Sequence, residues 1–212
     1  MKITAIEPYE NNRFFKVFLD GNYAMSLAAE LIEKNHLCVG GEVCREQLKG
    51  LEEDAQVRRA RERLLYSLDR RPHSTWELRQ KLRRDYPPQV IDSALEQLTQ
   101  LGLLDDLKFA WTYAEQQLRL HRRGPYAIRQ LLYQKGVERE IVDQVLEELF
   151  SDEDSELSAA KQAVEKYRGD LDTRQGRQRA YAYLARRGFG SRTIREVLRE
   201  MCAEDEFSGE DF

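Results

Sequence analysis

An apolar template recurs three times along this chain, and no other feature of the sequence restricts the fold as much. Leu82, Ile91, Leu95 and Leu98 form the first copy, Leu132, Val142, Leu146 and Leu149 the second, and Leu184, Ile194, Leu198 and Met201 the third. The last three members keep one spacing in every copy. The gap after each leading leucine holds a turn, at Tyr86-Pro87-Pro88, Lys135-Gly136-Val137 and Arg187-Gly188-Phe189. Four residues before each anchor stands another apolar residue, Leu78, Ile128 or Ala180. Steps of three and four put these side chains on one helix face, so each copy reads as two amphipathic helices joined by a short turn. A unit that small cannot bury its apolar face alone and stacks in series. Such an array makes a long surface rather than a pocket.

Each copy also has a leading helix. Ala60, Leu64, Leu65 and Leu68 form a stripe that ends at Arg70-Arg71-Pro72, where proline forbids continuation and Ser74 can cap the next start. Phe109, Ala110, Tyr113 and Ala114 lead the second copy, which breaks at Arg123-Gly124-Pro125. Ala160, Val164 and Tyr167 lead the third, whose break through Gly169-Asp170-Leu171-Asp172 is longer, as terminal repeats often are irregular. The start of the chain differs. Lys2 to Ile6 alternates, Phe14 to Leu19 is followed by Asp20-Gly21-Asn22, and Tyr23-Ala24-Met25 resumes an apolar run. β-Branched and aromatic residues around a glycine turn predict a small antiparallel sheet with a hairpin near Gly21. A bare hairpin is marginal, and Leu27 to Ile32 is the nearest helix to cover it. Gly40-Gly41 then breaks the chain before a polar linker helix over about 42–56.

The expected architecture is all-α: three tandem three-helix repeats in an elongated curved array, with a small N-terminal β-hairpin element. The domains expected are 1–56 for the β element and linker helix, 57–106, 107–151 and 152–203 for the repeats, and 204–212 for an acidic tail.

Composition excludes several classes. No apolar run approaches the roughly 18 to 20 residues of a membrane span, and Met1-Lys2-Ile3-Thr4 lacks a signal-peptide core, so a soluble, cytoplasmic chain is expected. Three cysteines without a Cys-x-x-Cys pair fit a reducing compartment. His36, Cys38 and Cys44 fall short of the four ligands of structural zinc. His73 and His121 each neighbour an arginine pair, without the nucleophile or carboxylate partner that catalysis needs, and exposure is the expectation for both. Phosphate-loop and nucleophile-elbow motifs are absent, so no enzyme activity and no cofactor are expected.

The most distinctive string is Gly102-Leu103-Leu104-Asp105-Asp106-Leu107-Lys108-Phe109-Ala110. Gly102 suits the left-handed closing position of a helix, Asp105 or Asp106 suits the cap of the next, and Leu104 would staple against Phe109. Capping is preferred to metal binding because no third ligand lies nearby.

A net charge of −4 hides a partition of charge. Between Asp172 and Glu196 lie seven arginines and no acid, whereas the last ten residues carry Glu204, Asp205, Glu206, Glu210 and Asp211 and no base. That tail either competes for a basic surface or only solubilises the chain end. Arg70-Arg71 and Arg122-Arg123 occupy the same break in copies one and two, and Arg186-Arg187 with Arg192 flank the later turn of copy three. On a regular array these charges would form a stripe able to track a phosphate backbone or an acidic groove. Scattered charged loops are the plainer alternative.

The sequence resembles the RecX family, bacterial regulatory proteins of the recombinase RecA, from about Val57 to Met201. The carriers are Arg71 to Ser74 with Glu77, Leu78 and Leu82; Gly102 to Asp106 with Phe109-Ala110; Gly124 with Ile128, Leu132 and Lys135-Gly136-Val137; and Leu184 through Arg186-Arg187-Gly188-Phe189 to Ile194. The resemblance implies three tandem three-helix repeats, binding in the groove of the RecA filament on single-stranded DNA, and inhibition of strand exchange and of the coupled ATP hydrolysis. It implies no catalysis by the chain itself. DNA repair, recombination and the SOS response are the implied setting. The chain departs from the family in two places: the family commonly has an arginine near Gln117, where this sequence offers Arg119 instead, and the β-rich start occurs in only some members.

The expected contact residues are Arg70, Arg71, Arg122, Arg123, Lys135, Arg186, Arg187 and Arg192, on a monomer with weak direct DNA binding and no membrane partner. A plain competitor for single-stranded DNA is the second reading, which requires Tyr126, Tyr133 or Tyr181 on the basic face. A scaffold that mediates only protein contacts is the third.

Overall fold

A computed structural model describes residues 1–9 and 13–207, and of residues 153, 154 and 203–207 the backbone only. The chain divides into two compact units: one comprises Met1–Pro72 with Leu78–Leu104, the other His73–Glu77 with the chain from Asp105 onward.

The first unit opens with strands β1 (Ile3–Pro8), β2 (Phe14–Leu19) and β3 (Asn22–Ala28), antiparallel in that order. Asp20 and Gly21 both have positive φ, +48° and +83°, the two-residue turn whose twist suits a hairpin. Helix α1 (Ala29–Lys34) contributes Leu31 to the cover of the sheet, as expected, and Leu51 and Ala55 of α2 (Arg45–Arg70) join it. This 26-residue helix is the linker and the leading helix of repeat one in a single run, unbroken across residues 56 and 57. Its first half packs on the sheet, and Ala60 and Leu64 of its second half pack on the first repeat's core. Leu65, expected in the apolar stripe, is exposed instead, because the face that Ala60 and Leu64 define turns it outward. Helices α3 (Thr75–Leu82) and α4 (Pro88–Gln100) complete the repeat, with Leu78, Leu82, Ile91, Leu95 and Leu98 buried.

The second unit holds α5 (Asp106–His121), α6 (Pro125–Gln134) and α7 (Arg139–Leu149), then α8 (Glu153–Val164), a 3₁₀ segment Glu165–Asp170, α9 (Arg174–Arg186) and α10 (Ser191–Phe207). Template members Ile128, Leu132, Val142, Ala180, Leu184 and Ile194 are each at most 1% exposed. Leu149 is the loosest member, packed at the rim of its core. Leu118 packs against the cores of both repeat two and repeat three. The last helix reaches Phe207, so the expected acidic tail begins within it, and 208–212 lie outside the described residues.

Candidate functional site

The two glycine turns of the template are docking pieces. Gly136 and Gly188 both have positive φ, +70° and +84°, and both lie against the start of a preceding repeat's second helix. A Cβ at Gly136 would stand 2.2 Å from the Trp76 ring, and one at Gly188 would stand 2.3 Å from the Ala127 amide nitrogen. Glycine is therefore required twice over, for conformation and for close approach. The first copy has no repeat before it, and its turn is Tyr86-Pro87-Pro88 with no glycine.

At the first turn, Ser74 Oγ accepts from the Glu77 amide at 3.1 Å, capping α3 as expected, and donates to the Lys135 carbonyl. Lys135 Nζ lies 2.7 Å from Glu77 Oε1 and over the Tyr113 ring. At the second turn the Gly124 amide donates to the Arg187 carbonyl at 2.8 Å and the Tyr126 amide to the Gly188 carbonyl at 3.0 Å. The Arg187 guanidinium donates to the His121 carbonyl and covers the Tyr183 ring.

The distinctive acidic pair has a structural explanation. Asp105 caps its own helix, accepting from the Lys108 amide at 2.9 Å, whereas Asp106 accepts from the Thr75 amide at 2.8 Å, at the start of α3. Adjacent carboxylates thus satisfy orphan donors of two different helices. Gly102 closes α4 with φ +68°, as expected. The expected staple of Leu104 on Phe109 gives way to another arrangement: Leu104 joins the core of repeat one and Phe109 that of repeat two. His73, expected to be exposed, is buried at the first docking turn, beside the capping Ser74. Cys44 caps α2 with its thiol, accepting from the Gln47 amide at 3.4 Å, while Gln47 Oε1 accepts the Cys44 amide at 2.8 Å.

The expected contact residues fall into three groups. Arg70 and Arg71 are in the first unit, both exposed, Arg70 over the Tyr66 ring and Arg71 donating to the Pro72 carbonyl at 2.8 Å. Lys135, Arg122 and Arg187 have their charges engaged within the second unit. Arg122 is the left-handed closing residue of α5, with φ +49°, and donates to Gln162 Oε1. Arg123, Arg186 and Arg192 carry guanidinium groups that bond to none of the described side chains, with Arg186 and Arg192 exposed and Arg123 half-buried. Tyr126, named for base stacking, is 63% exposed at the second turn, between Arg123 and the turn that Arg186 precedes. Sequence reasoning missed Trp76 and Tyr113 as joint residues; their signal was position, two residues before the Leu78 template site and three after Phe109-Ala110.

No group of three or more His, Cys, Asp or Glu side chains able to hold a metal occurs among the described residues, and no helix among them is long and apolar enough to cross a membrane.

Models of the first, second and third three-helix domains of RecX match residues 60–98, 105–146 and 154–198. A regulatory protein RecX of Clostridium beijerinckii is 30% identical over 96% of this chain and 97% of its own length. One from Listeria welshimeri is 28% identical over 99% of this chain and 79% of its own length. A crystal structure of regulatory protein RecX superposes with a TM-score of 0.78 at 25% identity, covering 94% of this chain and 98% of that one. Three tandem three-helix domains in family order, each built on the same apolar template, establish that the chain belongs to the RecX family of regulatory proteins.

Proposed function

We propose that this protein is a non-enzymatic regulator that docks in the groove of the RecA filament on single-stranded DNA and inhibits RecA's strand exchange and ATP hydrolysis. The observation that carries the reading is the family match along all three repeats. On this reading it works as a cytoplasmic monomer in recombinational repair and the SOS response, and its repeats lie along the groove with the basic residues of their turns toward RecA protomers or bound DNA.

Arg70, Arg71, Arg122, Arg123, Lys135, Arg186, Arg187 and Arg192 are the proposed contact set. Within it, Arg123, Arg186 and Arg192 are the best suited to a partner, because docking them breaks no internal bond. Arg122 and Arg187 hold the turn beside Arg123 and Arg186, whereas Lys135 is engaged at the first joint.

A second reading, simple competition for single-stranded DNA, is favoured by the exposed Tyr126 ring in basic surroundings. RecA ATPase on single-stranded DNA separates the two. The expected result is inhibition by the wild type that is lost in Arg123→Ala/Arg186→Ala, with weak naked-DNA binding much less affected. Retained inhibition by the folded double variant, and by the quadruple variant that adds Arg122→Ala and Arg187→Ala, would remove the arginine surface from the mechanism.

A further inference from the structure

The shared template aligns the three repeats residue by residue, and one outer row of the third helix inverts its charge. Gln89, Asp92 and Glu96 form this row on α4, Glu140, Asp143 and Glu147 on α7, and Arg192, Arg195 and Arg199 on α10. Each trio has the spacing i, i+3, i+7, which keeps it on one stripe over about 10 Å of helix. In the first two repeats the middle carboxylate is tied down: Asp92 accepts from Arg79 and Asp143 from Arg129. In the third repeat both members of that pair change. Tyr181 occupies the place of Arg79 and Arg129, and Arg195 that of the aspartate.

The consequence is an uncommitted cationic row. Arg192, Arg195 and Arg199 are all exposed, and they line a shallow groove of about 290 Å³ with Glu196. Arg192 and Arg195 bond to none of the described side chains, and Arg199 reaches only Glu196, at 4.0 Å. Tyr181, 38% exposed, is the only large apolar side chain that the third repeat exposes among the described residues. Protein-binding hot spots cluster in packed, desolvated pockets, and around this row Tyr181 alone offers an exposed ring among the described residues. A regularly charged polyanion needs only a row of guanidinium groups, with an aromatic ring to stack a base.

We propose that the Arg192–Arg195–Arg199 face of α10, with Tyr181, is a binding site for the backbone of single-stranded DNA. The proposal deepens the filament reading by naming the surface that meets the DNA strand itself, and it is tested without RecA.

The row in repeat two supplies the variant: Arg192→Glu/Arg195→Asp/Arg199→Glu installs residues that the same fold already carries at these positions. Arg192→Gln/Arg195→Gln/Arg199→Gln guards against an effect of reversed charge, and circular dichroism checks that both are folded. Affinity for a fluorescent oligothymidylate is measured over a salt series by anisotropy. If the row neutralises three phosphates, the glutamine variant loses about a hundredfold in affinity at 0.1 M salt, and its log–log salt slope becomes shallower by about 2. Tyr181→Leu lowers affinity without changing the slope, and Tyr181→Phe keeps it. Unchanged affinity and slope in the folded glutamine variant would overturn the proposal. So would oligonucleotide binding that survives while a polyglutamate peptide loses its binding, since the row would then serve an acidic protein segment. If wild type leaves RecA ATPase unaltered but the oligonucleotide result holds, the filament reading fails and the DNA site stands.

Discussion

At the first joint Lys135 sits on Glu77 and its carbonyl takes the Ser74 hydroxyl; at the second, the equivalent Arg187 gives its carbonyl to the Gly124 amide and turns its guanidinium to the His121 carbonyl. One turn of one template thus docks twice, cemented by side chains in the first case and by backbone in the second. The difference decides which charges a partner can use. Glu77 is only 13% exposed and Lys135 27%, so the first joint consumes its cation inside the protein. The second joint closes on backbone groups and the Arg187 guanidinium, and it leaves the Arg123 and Arg186 guanidinium groups with no bond to any described side chain. Two basic residues at the same step of a repeat are therefore not equivalent contacts.

The sharpest way to break this comparison is to add one methyl group at each docking glycine. Gly188→Ala forces a left-handed alanine and pushes its Cβ into the Ala127 backbone, which cannot yield. We expect a loss of about 3–5 kcal/mol, read by urea unfolding. Gly136→Ala incurs the same backbone strain, and its Cβ would stand 2.4 Å from the Trp76 Cβ, which the α3 backbone holds, so turning the ring relieves only part of the clash and about 2–3 kcal/mol is expected. Equal losses would mean that the two joints are closed alike.

A smaller effect should follow from Lys135→Met. It removes one ion-pair partner of the mostly buried Glu77 carboxylate, for which about 1 kcal/mol is expected, since the pair is shielded but not fully dry. Glu77→Gln should recover part of that loss, and a double-mutant cycle with no coupling between the two sites would remove the ion pair from the joint. Arg187→Met, whose guanidinium meets a carbonyl at the surface, should cost less than Lys135→Met.

The charge inversion gives a pH test. Hydrogen bonding from Arg129 holds the Asp143 carboxyl below the ordinary aspartate range, against a smaller opposing effect of desolvation. A folded-state value below the unfolded one stabilises the fold fully above the unfolded value of about 3.9, and that contribution is lost as pH falls through the folded value. Carboxyl carbon NMR should place the Asp143 midpoint below about 3.9, and Arg129→Met should raise it. An unshifted midpoint in the wild type would mean that the pair does not form in solution. No counterpart exists in repeat three, where Arg195 stands in place of the carboxylate.

The repeats were legible in the sequence because burial follows helical period, and Leu82, Leu132 and Leu184 hold the same place in three cores. The Asp-Gly hairpin, the Ser74 cap and the closing Gly102 were equally legible, since each rests on local backbone chemistry. What the sequence withheld is long-range. Asp106 reaches a helix 31 residues away, Lys135 pairs with Glu77 at a separation of 58, and Leu104 and Phe109 enter different cores although five residues apart. The split of arginines into engaged and free groups is of this kind, because it depends on which carbonyl or carboxylate the fold brings near each one. The inverted row of repeat three was in the sequence throughout, but it becomes visible only when the template is used as a ruler for outward positions as well as core ones.

The weakest expected effect concerns the acidic end of the chain, and it refines the contrast between repeats two and three. Met201 is the last core member of the template, so a chain ending at Ala203 keeps the third core complete. Five carboxylates are removed with residues 204–212: Glu204, Asp205, Glu206, Glu210 and Asp211. The backbone of α10 runs on to Phe207, so Glu204 follows Arg199 by five residues, about 7.5 Å of helix rise. That is within the screening length of about 10 Å at 0.1 M salt, so the acidic end lowers the potential felt by a strand on the arginine row. Truncation should therefore strengthen oligothymidylate binding a few-fold at 0.05 M salt and make no difference at 0.5 M, with the melting temperature unchanged. Equal affinity of the two forms at low salt would show that the tail acts only as a solubilising end, and that the arginines of α10 set the charge of repeat three alone.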